Sequence, residues 1–450
     1  MKESSAVHSI AVTVLTGGSD KPYVLGLTTE LLARGIAIDL IGSDELDCAE
    51  LRNRSGLNFL NLRGDQRSDA DFSSKMVRVL RYYWKLLAYA ASAKPKIFHI
   101  LWNNKFESFD RTLLLLYYKL LGKSVVLTAH NVNAGRRDSK DTVLNQLTLR
   151  IQYRLADKIF VHTEKMKSEL VAAFAVAESR VSVIPFGINN TVPSTRLTPS
   201  EAKVRLGFRD GERTILFFGR ITPYKGLEYL ITSFRQLFAK RNDYRLMIAG
   251  RPDNCEDYWS AIRQSIREDV ESGQILLKSE FIPDEMTEVY FKAADVLVLP
   301  YRHIYQSGVL FLGYGFGVPA LAADVGSLKD DVVEGKTGFT FKPEDPADLA
   351  TTIERFFASD LYTDLAARRQ EIQALVAEQH SWATVGSLTL AVYQGLLRGS
   401  DPEKFPSPEA KAFSHLQANP EPVESRLSSD TLGHKNPTDG PSAKQSRVIR

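Results

Sequence analysis

Residues 294–326, ADVLVLPYRHIYQSGVLFLGYGFGVPALAADVG, carry the clearest evidence of the fold in this chain. Residues 295–299 predict a β-strand that is apolar on both faces, which is typical of a central strand in a parallel sheet. After a polar loop, residues 306–308 open a short apolar helix, and a glycine and a proline within 317–319 end it. Residues 320–323 predict the next strand, so the whole segment is a strand–helix–strand unit.

The start of that helix is a candidate anion site. In such a unit the helix N-terminus lies at the carboxyl end of the parallel strands, where α/β proteins bind ligands. Its first backbone N–H groups have no partner within the helix and favour phosphate. Two interpretations stay open from this segment alone: either Ser307 and Gly308 bind a phosphate, or Ser307 is an ordinary helix cap and the glycines only permit close packing.

Length and composition indicate an ordinary globular protein. The chain has 450 residues, 44% hydrophobic and 25% charged, enough for two or three domains, and its net charge of +3 gives no argument for a nucleic-acid partner. The two cysteines, Cys48 and Cys255, fit neither a disulfide framework nor a cysteine metal site, which indicates a reducing, cytoplasmic compartment. The apolar run near the N-terminus is too short for a signal peptide, and no run is long enough to span a membrane.

Strands and helices alternate in two separate runs, which predicts an α/β protein with two doubly wound parallel sheets facing each other. We predict an N-terminal domain over residues 1–185 and a C-terminal domain over 201–378. Residues 186–200 are rich in proline and small polar residues and are the predicted linker. A final helix is predicted over 379–399. Residues 400–450 are rich in proline and poor in aromatic residues, a composition typical of disorder.

A cationic turn, which is a second candidate anion site, follows the predicted strand 214–218. Gly219 permits close approach of a ligand to the backbone, Arg220 can clamp phosphate oxygens, and Lys225 adds a point charge at the start of the next helix. Together with the helix start at Ser307 this predicts a cationic pocket that fits a pyrophosphate. The alternative is that both cations are solvated surface charges.

A histidine follows another predicted strand in the N-terminal half. His130 comes directly after residues 124–128, at the carboxyl end of a parallel strand, which favours a functional role over a purely structural one. For the polar and basic loop that follows, including Asn131, Arg136 and Arg137, two interpretations stay open: it is mobile, or it binds an acceptor substrate.

The predicted helix over residues 73–93 interleaves basic and aromatic residues. Lys75, Arg78, Arg81, Lys85 and Lys94 alternate with large apolar side chains. Such a helix can lie on an anionic membrane, or it can pack on the sheet and leave a solvated basic edge.

Four segments together resemble one enzyme family. FFGRITPYKGLEYL (217–230), SEFIPDEMTEVYFKAADVLVLPY (279–301), QSGVLFLGYGFGVPALAADVGSLKDDVVEGKTGF (306–339) and VVLTAHN (125–131) resemble the retaining GT-B glycosyltransferases of family 4. The resemblance implies two Rossmann-like domains facing a central cleft. It also implies transfer of a sugar from a nucleotide-diphosphate sugar with retention of configuration, without a metal or another cofactor.

The resemblance also implies roles for individual residues. His130 matches the histidine near the donor sugar, and Gly17 and Gly18 match a glycine loop at the diphosphate. Arg220 and Lys225, after Gly219, match the residues that bind the donor's pyrophosphate. Ser307, Gly308 and Val309 match the backbone phosphate site. Phe281, Ile282 and Pro283 match the segment that holds the base.

One family motif is missing. The family carries two glutamates eight positions apart around the helix start, and counting from Pro319 or from Gly308 places them at Ile304 and Leu312 or at Tyr305 and Gly313. Neither register supplies a carboxylate. Gln306 is a candidate replacement for one polar contact.

Three functions are compatible with the sequence. The first is a retaining hexosyltransferase that builds an exopolysaccharide or another cell-surface glycan on a glycan or polyprenyl-linked acceptor, in the cytoplasm and peripherally at the inner membrane face. The second is a GT-B sugar-nucleotide epimerase or a phosphorylase. The third is a catalytically inactive GT-B module that binds a partner, a reading that the missing glutamates motivate.

Overall fold

A computed structural model describes residues 10–17, 20–66, 71–137, 141–189, 191–209 and 211–398. The predicted tail over 400–450 and the predicted strand start before residue 10 lie outside these residues. Within them, no helix is both long enough and apolar enough to cross a membrane.

The first sheet has seven strands in the order β3-β2-β1-β4-β5-β6-β7, and every neighbouring pair is parallel. Its inner strands are buried on both faces, as their nearly continuous apolar sequences require. The strands are β1 Ala11–Leu15, β2 Ala37–Gly42, β3 Leu57–Asn61, β4 Ile97–Ile100, β5 Ser124–Thr128, β6 Lys158–Val161 and β7 Val181–Val183. The helices are α1 Lys21–Ala33, α2 Phe72–Ser92, α3 Glu107–Phe109, α4 Leu115–Leu120, α5 Ala134–Arg137, α6 Val143–Leu155 and α7 Glu164–Phe174, with a π-helical turn at Asp110–Leu114.

The second sheet has six parallel strands in the order β10-β9-β8-β11-β12-β13. The strands are β8 Arg213–Phe218, β9 Tyr244–Ala249, β10 Ile275–Lys278, β11 Val296–Leu299, β12 Ala320–Ala323 and β13 Gly338–Phe341. The helices are α8 Pro199–Arg205, α9 Leu227–Lys240, α10 Glu256–Ser265, α11 Arg267–Glu271, α12 Asp284–Ala293, α13 Gly308–Gly315, α14 Leu328–Asp331, α15 Pro346–Phe357, α16 Asp360–Thr363, α17 Leu365–His380 and α18 Trp382–Arg398.

The predicted fold class, α/β with two doubly wound parallel sheets, is confirmed by these two topologies. In each sheet the strand order reverses direction beside the first strand of the sheet, β1 or β8, which creates a crevice at the carboxyl ends of the strands. The residues that follow β1, β4, β8 and β11 therefore meet at such crevices.

Two elements differ from the sequence prediction. Strand β3 was not predicted, because it lies at a sheet edge and alternates half-buried and exposed residues rather than forming an apolar run. The sequence of residues 360–378 predicts one helix, but the structure has two, α16 and α17, because Asp364 leaves the helical conformation between them.

The last helix, α18, packs against α1 in the first half of the chain. A Cβ added at Gly26 would lie 1.9 Å from the Trp382 ring, so only glycine lets this ring approach α1 so closely. The Trp382 Nε1–H donates to the Ile188 carbonyl at 2.9 Å, and the Tyr393 hydroxyl contacts Nδ1 of His99 at 2.6 Å. The helix that ends the second half is thus bound into the core of the first.

Candidate active site

The cationic turn after β8 and the start of α13 converge on one point. Gly219 has a positive φ of 97°, and a Cβ added there would lie 3.2 Å from Nζ of Lys225 and 3.2 Å from Cγ2 of Val309. Any side chain at this position would fill the space between the two. The structure therefore brings together three residues that the sequence predicted separately as donor contacts.

Lys225 is buried, with 6% of its surface exposed, and ends the 3₁₀ turn Pro223–Lys225. Its Nζ lies 5.4 Å from the centroid of the Tyr301 ring, a distance at which the ring face attracts a cation. The packing holds a positive charge beside the start of α13.

Arg220 occupies a different environment, because 69% of its side chain is exposed. Its guanidinium pairs with Asp253, which follows β9, at 3.3 Å. The charge also acts electrostatically on Asp20, the residue that caps α1 in the other half. Arg220 therefore stands at the rim of the site, where its long side chain is available to a ligand.

The start of α13 keeps its backbone donors. Ser307 is buried at the cap position, yet its side chain makes no capping hydrogen bond, and its Oγ lies 3.5 Å from the Tyr301 hydroxyl. The first N–H groups of a helix have no partner within the helix, so we expect those of Gly308 and Val309 to be available to a ligand at this end of α13. This geometry does not support the interpretation of Ser307 as an ordinary side-chain cap.

Gln306, directly before this helix, is also short of hydrogen bonds. Both heteroatoms of its side-chain amide are buried, and neither has a hydrogen-bond partner in the described part of the chain. Buried amide groups are costly to leave unpaired, which is consistent with a ligand that supplies the partner.

His130 follows β5, and a second histidine fixes its proton. His162, which follows β6, contacts the Ile184 carbonyl oxygen through Nδ1 at 2.9 Å, so this nitrogen carries the hydrogen. Burial lowers the pKa of His162 to about 4, so at neutral pH the ring is neutral and its Nε2 is an acceptor. That Nε2 lies 2.9 Å from Nδ1 of His130, which must therefore be the donor.

His130 therefore has one ring nitrogen, Nε2, that carries no hydrogen. Burial, with smaller contributions from His162 and His99, lowers the pKa of His130 well below its usual range, so the ring is neutral. With the proton on Nδ1, Nε2 is a hydrogen-bond acceptor, and it is buried without a partner among the described residues. A ligand hydroxyl is the kind of group that this atom can accept.

Aromatic side chains that the sequence analysis missed surround His130. The Trp102 ring stacks on it with centroids 4.1 Å apart and an interplanar angle of 8°, and Tyr23 meets it edge-on at 4.9 Å. Phe186 links both halves: its ring centroid is 6.2 Å from that of His130, and its Cε1 is 3.7 Å from where a Cβ of Gly308 would be. His130 and the start of α13 thus share one wall.

The remaining predicted donor residues are placed as follows. Gly17 has a positive φ of 58°, and a Cβ there would lie 2.4 Å from the Trp102 carbonyl oxygen, so the turn requires glycine. Gly18 lies outside the described residues. Phe281 is exposed, Ile282 is buried, and Pro283 precedes α12; the role of this segment at the base stays a prediction.

The four positions of the missing glutamates are buried: Ile304, Tyr305, Leu312 and Gly313. Tyr305 turns toward the first half of the chain, where its hydroxyl lies 3.2 Å from the backbone nitrogen of Asn133 and 3.2 Å from Oε1 of Glu169. Tyr305, one of these four positions, thus connects the two halves of the chain.

The candidate acceptor residues follow His130. Asn131 is half-buried, and the backbones of Arg136 and Arg137 lie in α5, whereas their side chains are outside the described part of the structure. Acceptor binding by these residues stays a prediction. In the described ranges, no group of three or more His, Cys, Asp or Glu residues is arranged to hold a metal ion, and a metal-independent reaction likewise stays a prediction.

Comparison with known proteins gives two family matches. Residues 21–191 match the model described as Glycosyltransferase Family 4, and residues 212–359 match Glycosyl transferases group 1. The D-inositol 3-phosphate glycosyltransferase of Streptomyces avermitilis is 29% identical over 251 residues, which is 54% of this chain and 53% of the relative. The protein of that name from Corynebacterium glutamicum is 23% identical over 388 residues, 84% of this chain and 91% of the relative. The chain spans about half the length of the first of these relatives.

Solved structures share the fold at low identity. The sucrose-phosphate synthase of Thermosynechococcus elongatus superposes with a TM-score of 0.68 at 18% identity, covering 87% of this chain and 100% of that one. Anabaena HepE in complex with UDP-glucose gives 0.66 at 15% identity, covering 87% and 100%. With the two family matches and the two facing parallel sheets, the chain belongs to the group 1, family 4 glycosyltransferases and has their GT-B fold.

Proposed function

We propose that the protein is a retaining hexosyltransferase that moves a sugar from a nucleotide-diphosphate sugar to a glycan or lipid-linked glycan acceptor in cell-surface glycan synthesis. The observation that carries the proposal is the convergence of Gly219, Lys225 and Val309 on a space that any side chain would fill. This space combines a buried cation with the free N–H groups of a helix start, which suits a pyrophosphate. The related HepE structure holds UDP-glucose, which supports a nucleotide sugar as donor.

The chemistry follows from where charge develops. As the bond from the anomeric carbon to the diphosphate breaks, negative charge grows on the leaving oxygens, and Lys225, Arg220 and the dipole of α13 stabilise it. The acceptor hydroxyl attacks from the same face of the sugar, and a donor phosphate oxygen takes its proton. On this proposal His130 is not the base: its Nε2 accepts a hydrogen bond from a hydroxyl of the donor sugar and orients the ring.

Nucleotide binding tests the phosphate assignment. UDP, GDP and ADP are each titrated into the wild type, Lys225→Ala and Arg220→Ala, with thermal unfolding and calorimetry as the readouts. One nucleotide should raise the melting temperature of the wild type, and each variant should bind it roughly 10- to 100-fold more weakly, since each loses a charge-assisted contact. Arg241→Ala, which removes an exposed arginine paired with Asp243 in the same half, is the matched control.

The alternatives have distinct outcomes in this series. If no nucleotide raises the melting temperature of the wild type, the inactive binding module is favoured. If the nucleotide sugar alone is converted to an isomer without an acceptor, the protein is an epimerase. If Lys225→Ala binds as well as Arg241→Ala, the phosphate site lies elsewhere.

We also propose peripheral contact with an anionic membrane through α2, on the cytoplasmic side. This helix buries Tyr82, Tyr83 and Leu86 against the sheet and leaves Val77, Leu80 and Trp84 exposed. The exposed three recur at helical spacing and lie beside the exposed cations Arg81 and Lys85. An apolar stripe flanked by basic residues fits the interface of a bilayer that carries negative headgroups.

A further inference from the structure

A second cationic pocket lies in the N-terminal half, apart from the donor residues. It is a shallow, open hollow between α2 and the segments that follow β3 and β4. None of the residues that line it is acidic, and three are cationic. Its cationic and amide side chains are those of Arg63, Gln66, Arg78, Asn104 and Lys105.

Arg63 is the residue that indicates what this pocket binds. Only 8% of its surface is exposed, and its Nη1 is buried with no hydrogen-bond partner in the described ranges. The guanidinium carbon lies 5.5 Å from the centroid of the Tyr82 ring, which supports the charge without neutralising it. Arginine is seldom buried without a partner, because the lost hydration is costly, so the pocket is prepared for an anion.

The surrounding contacts fix the lining. The backbone N–H of Arg63 donates to the Gly42 carbonyl at 3.2 Å, and Nε2 of Gln66 donates to the Arg63 carbonyl at 2.9 Å. Asp110 is within electrostatic reach of Arg63, but its carboxylate already accepts from the Tyr83 hydroxyl at 2.8 Å and from the Asn104 N–H at 2.6 Å. The three cationic residues of the lining outnumber this one carboxylate, so the pocket keeps a net positive charge.

The pocket is close to the candidate active site. Asn104 and Lys105 line it, while Trp102, in the same segment after β4, stacks on His130. Three residues of chain span at most about 11 Å, so the backbone of Lys105 lies within that distance of the backbone of Trp102. The carboxyl ends of β3 and β4 are also where an α/β sheet places ligands.

We propose that this pocket binds a phosphate group of the sugar acceptor, and that Arg63 is its principal ligand. The inference rests on the proposed transfer function and names its acceptor class. A guanidinium matches phosphate oxygens in a two-point contact, and Arg78 and Lys105 supply further cationic donors. The phosphate belongs either to a small soluble acceptor or to a lipid. In the second case the neighbouring face of α2, which exposes Val77, Leu80 and Trp84, can contact the lipid.

The test uses the full chain with saturating UDP, or whichever nucleotide diphosphate stabilises it, so that the donor site is occupied. Glycerol 3-phosphate is titrated by calorimetry, and phosphatidylcholine vesicles containing phosphatidic acid are assayed by co-sedimentation. The variants are Arg63→Met, which keeps the apolar stem over Tyr82, and Lys105→Ala at the exposed rim. Arg52→Ala, an exposed arginine in the same half that pairs with Asp47, is the matched control.

We expect Arg63→Met to bind at least about tenfold more weakly than the wild type and Lys105→Ala to lose less, while Arg52→Ala is unchanged. A loss confined to glycerol 3-phosphate identifies a soluble phosphate, and a loss confined to the vesicles identifies a lipid phosphate. The inference is overturned if Arg63→Met binds both probes like the wild type, or if the wild type binds neither while the nucleotide still raises its melting temperature. Failure of every nucleotide to stabilise the wild type refutes the donor assignment instead, a separate result.

Discussion

The proton on His130 is placed by a neighbour, because His162 gives its own Nδ1–H to the Ile184 carbonyl and offers only Nε2 to His130. His162 touches neither donor nor acceptor in this arrangement and is a positioning residue. A family motif marks His130, whereas nothing local to the sequence around His162 marks that residue. Its role becomes visible only when the ends of β5 and β6 lie side by side.

We predict that His162→Phe lowers the turnover number about 10- to 100-fold with little change in nucleotide binding. The substitution leaves the Nδ1–H of His130 without its acceptor, so the ring can take the other tautomer and lose the bare Nε2. His162→Gln offers an amide oxygen at a similar position and should restore much of the activity. The measurements are steady-state kinetics and nucleotide-induced stabilisation for both variants.

The pH dependence separates this role from a merely structural one. The folded pKa of His162 is lowered to about 4 by burial, so the neutral ring, and with it the His130 tautomer, is present at neutral pH and lost as the pH falls toward that value. Activity of the wild type should therefore hold down to mildly acidic pH, whereas the phenylalanine variant should lack this acidic limb. Equal pH profiles for wild type and His162→Phe would contradict the assignment.

Asp331 gives a second prediction at the residue scale. Its Oδ2 is buried with no partner in the described residues, and burial, aided by Asp330, raises the pKa of the carboxyl to about 8. The unfolded chain releases this proton near pH 3.8 and the folded chain only near 8, so the free energy of unfolding falls by up to about 1.4 kcal/mol per pH unit between these values. Asp331→Asn removes this loss.

The melting temperature of Asp331→Asn should therefore exceed that of the wild type by a margin that grows from pH 5 to pH 8. Thermal unfolding across this range measures it. Asp257→Asn, an exposed aspartate in α10, is the control and should show no such trend. A constant difference between Asp331→Asn and wild type at all pH values would show that the carboxyl is not protonated in the folded protein.

At the scale of elements, the sequence predicted the strands with continuous apolar runs and the turns that follow them. Gly219 and Lys225 were predicted from the turn after β8 and Val309 from the family resemblance, and the structure brings the three within contact distance of one point. They become neighbours because parallel strands end at one edge of their sheet. Their role in donor binding stays a prediction.

The same rule explains what was missed. Trp102 and His162 follow β4 and β6, so the rule that ligands bind at the carboxyl ends of parallel strands applies to them as well. No sequence pattern around them, however, distinguishes a site residue from a core residue. Arg63 and its pocket follow β3, an edge strand without a fully buried residue, and without that strand in the prediction nothing placed Arg63 at the sheet edge. The tertiary contacts of an edge strand, which local composition does not encode, decided this part of the structure.

At the scale of the whole molecule, the two halves are joined through several small polar contacts, the aromatic contacts of Phe186 and one crossing helix. The Thr163 and Ser327 hydroxyls are 2.9 Å apart, Nζ of Lys165 donates to the Gly326 carbonyl at 2.6 Å, and Tyr305 reaches Asn133 and Glu169. Contacts of this kind separate more readily than an apolar core, so they permit the halves to open while α18 stays packed on α1. A cleft that closes around its donor excludes water from the reacting sugar.

The exposed apolar surface of the first half extends beyond α2. The neighbouring elements expose Leu113, Leu116 and Leu120, and α6 exposes Val143, Leu144 and Leu147. Scattered exposed apolar residues are normal, but here they are concentrated on α2, on α6 and on the π-helical turn and α4 between them, and such a concentration is typical of an interaction site. With the basic residues of α2 beside it, an anionic bilayer is the partner that matches both components.

We predict that the protein floats with phosphatidylglycerol vesicles at low salt and is released by high salt, because the attraction is electrostatic and screened. The charge reversal Arg81→Glu/Lys85→Glu should abolish flotation, since each cation near such a surface contributes about 1 kcal/mol and the reversal adds repulsion. Trp84→Ser should weaken it several-fold by removing the most exposed apolar side chain of α2, whereas Val204→Ser, which removes an exposed valine from the other half, should not. Flotation that is absent for the wild type at low salt, or equal for all four proteins, would show that this face meets water or another protein rather than a membrane.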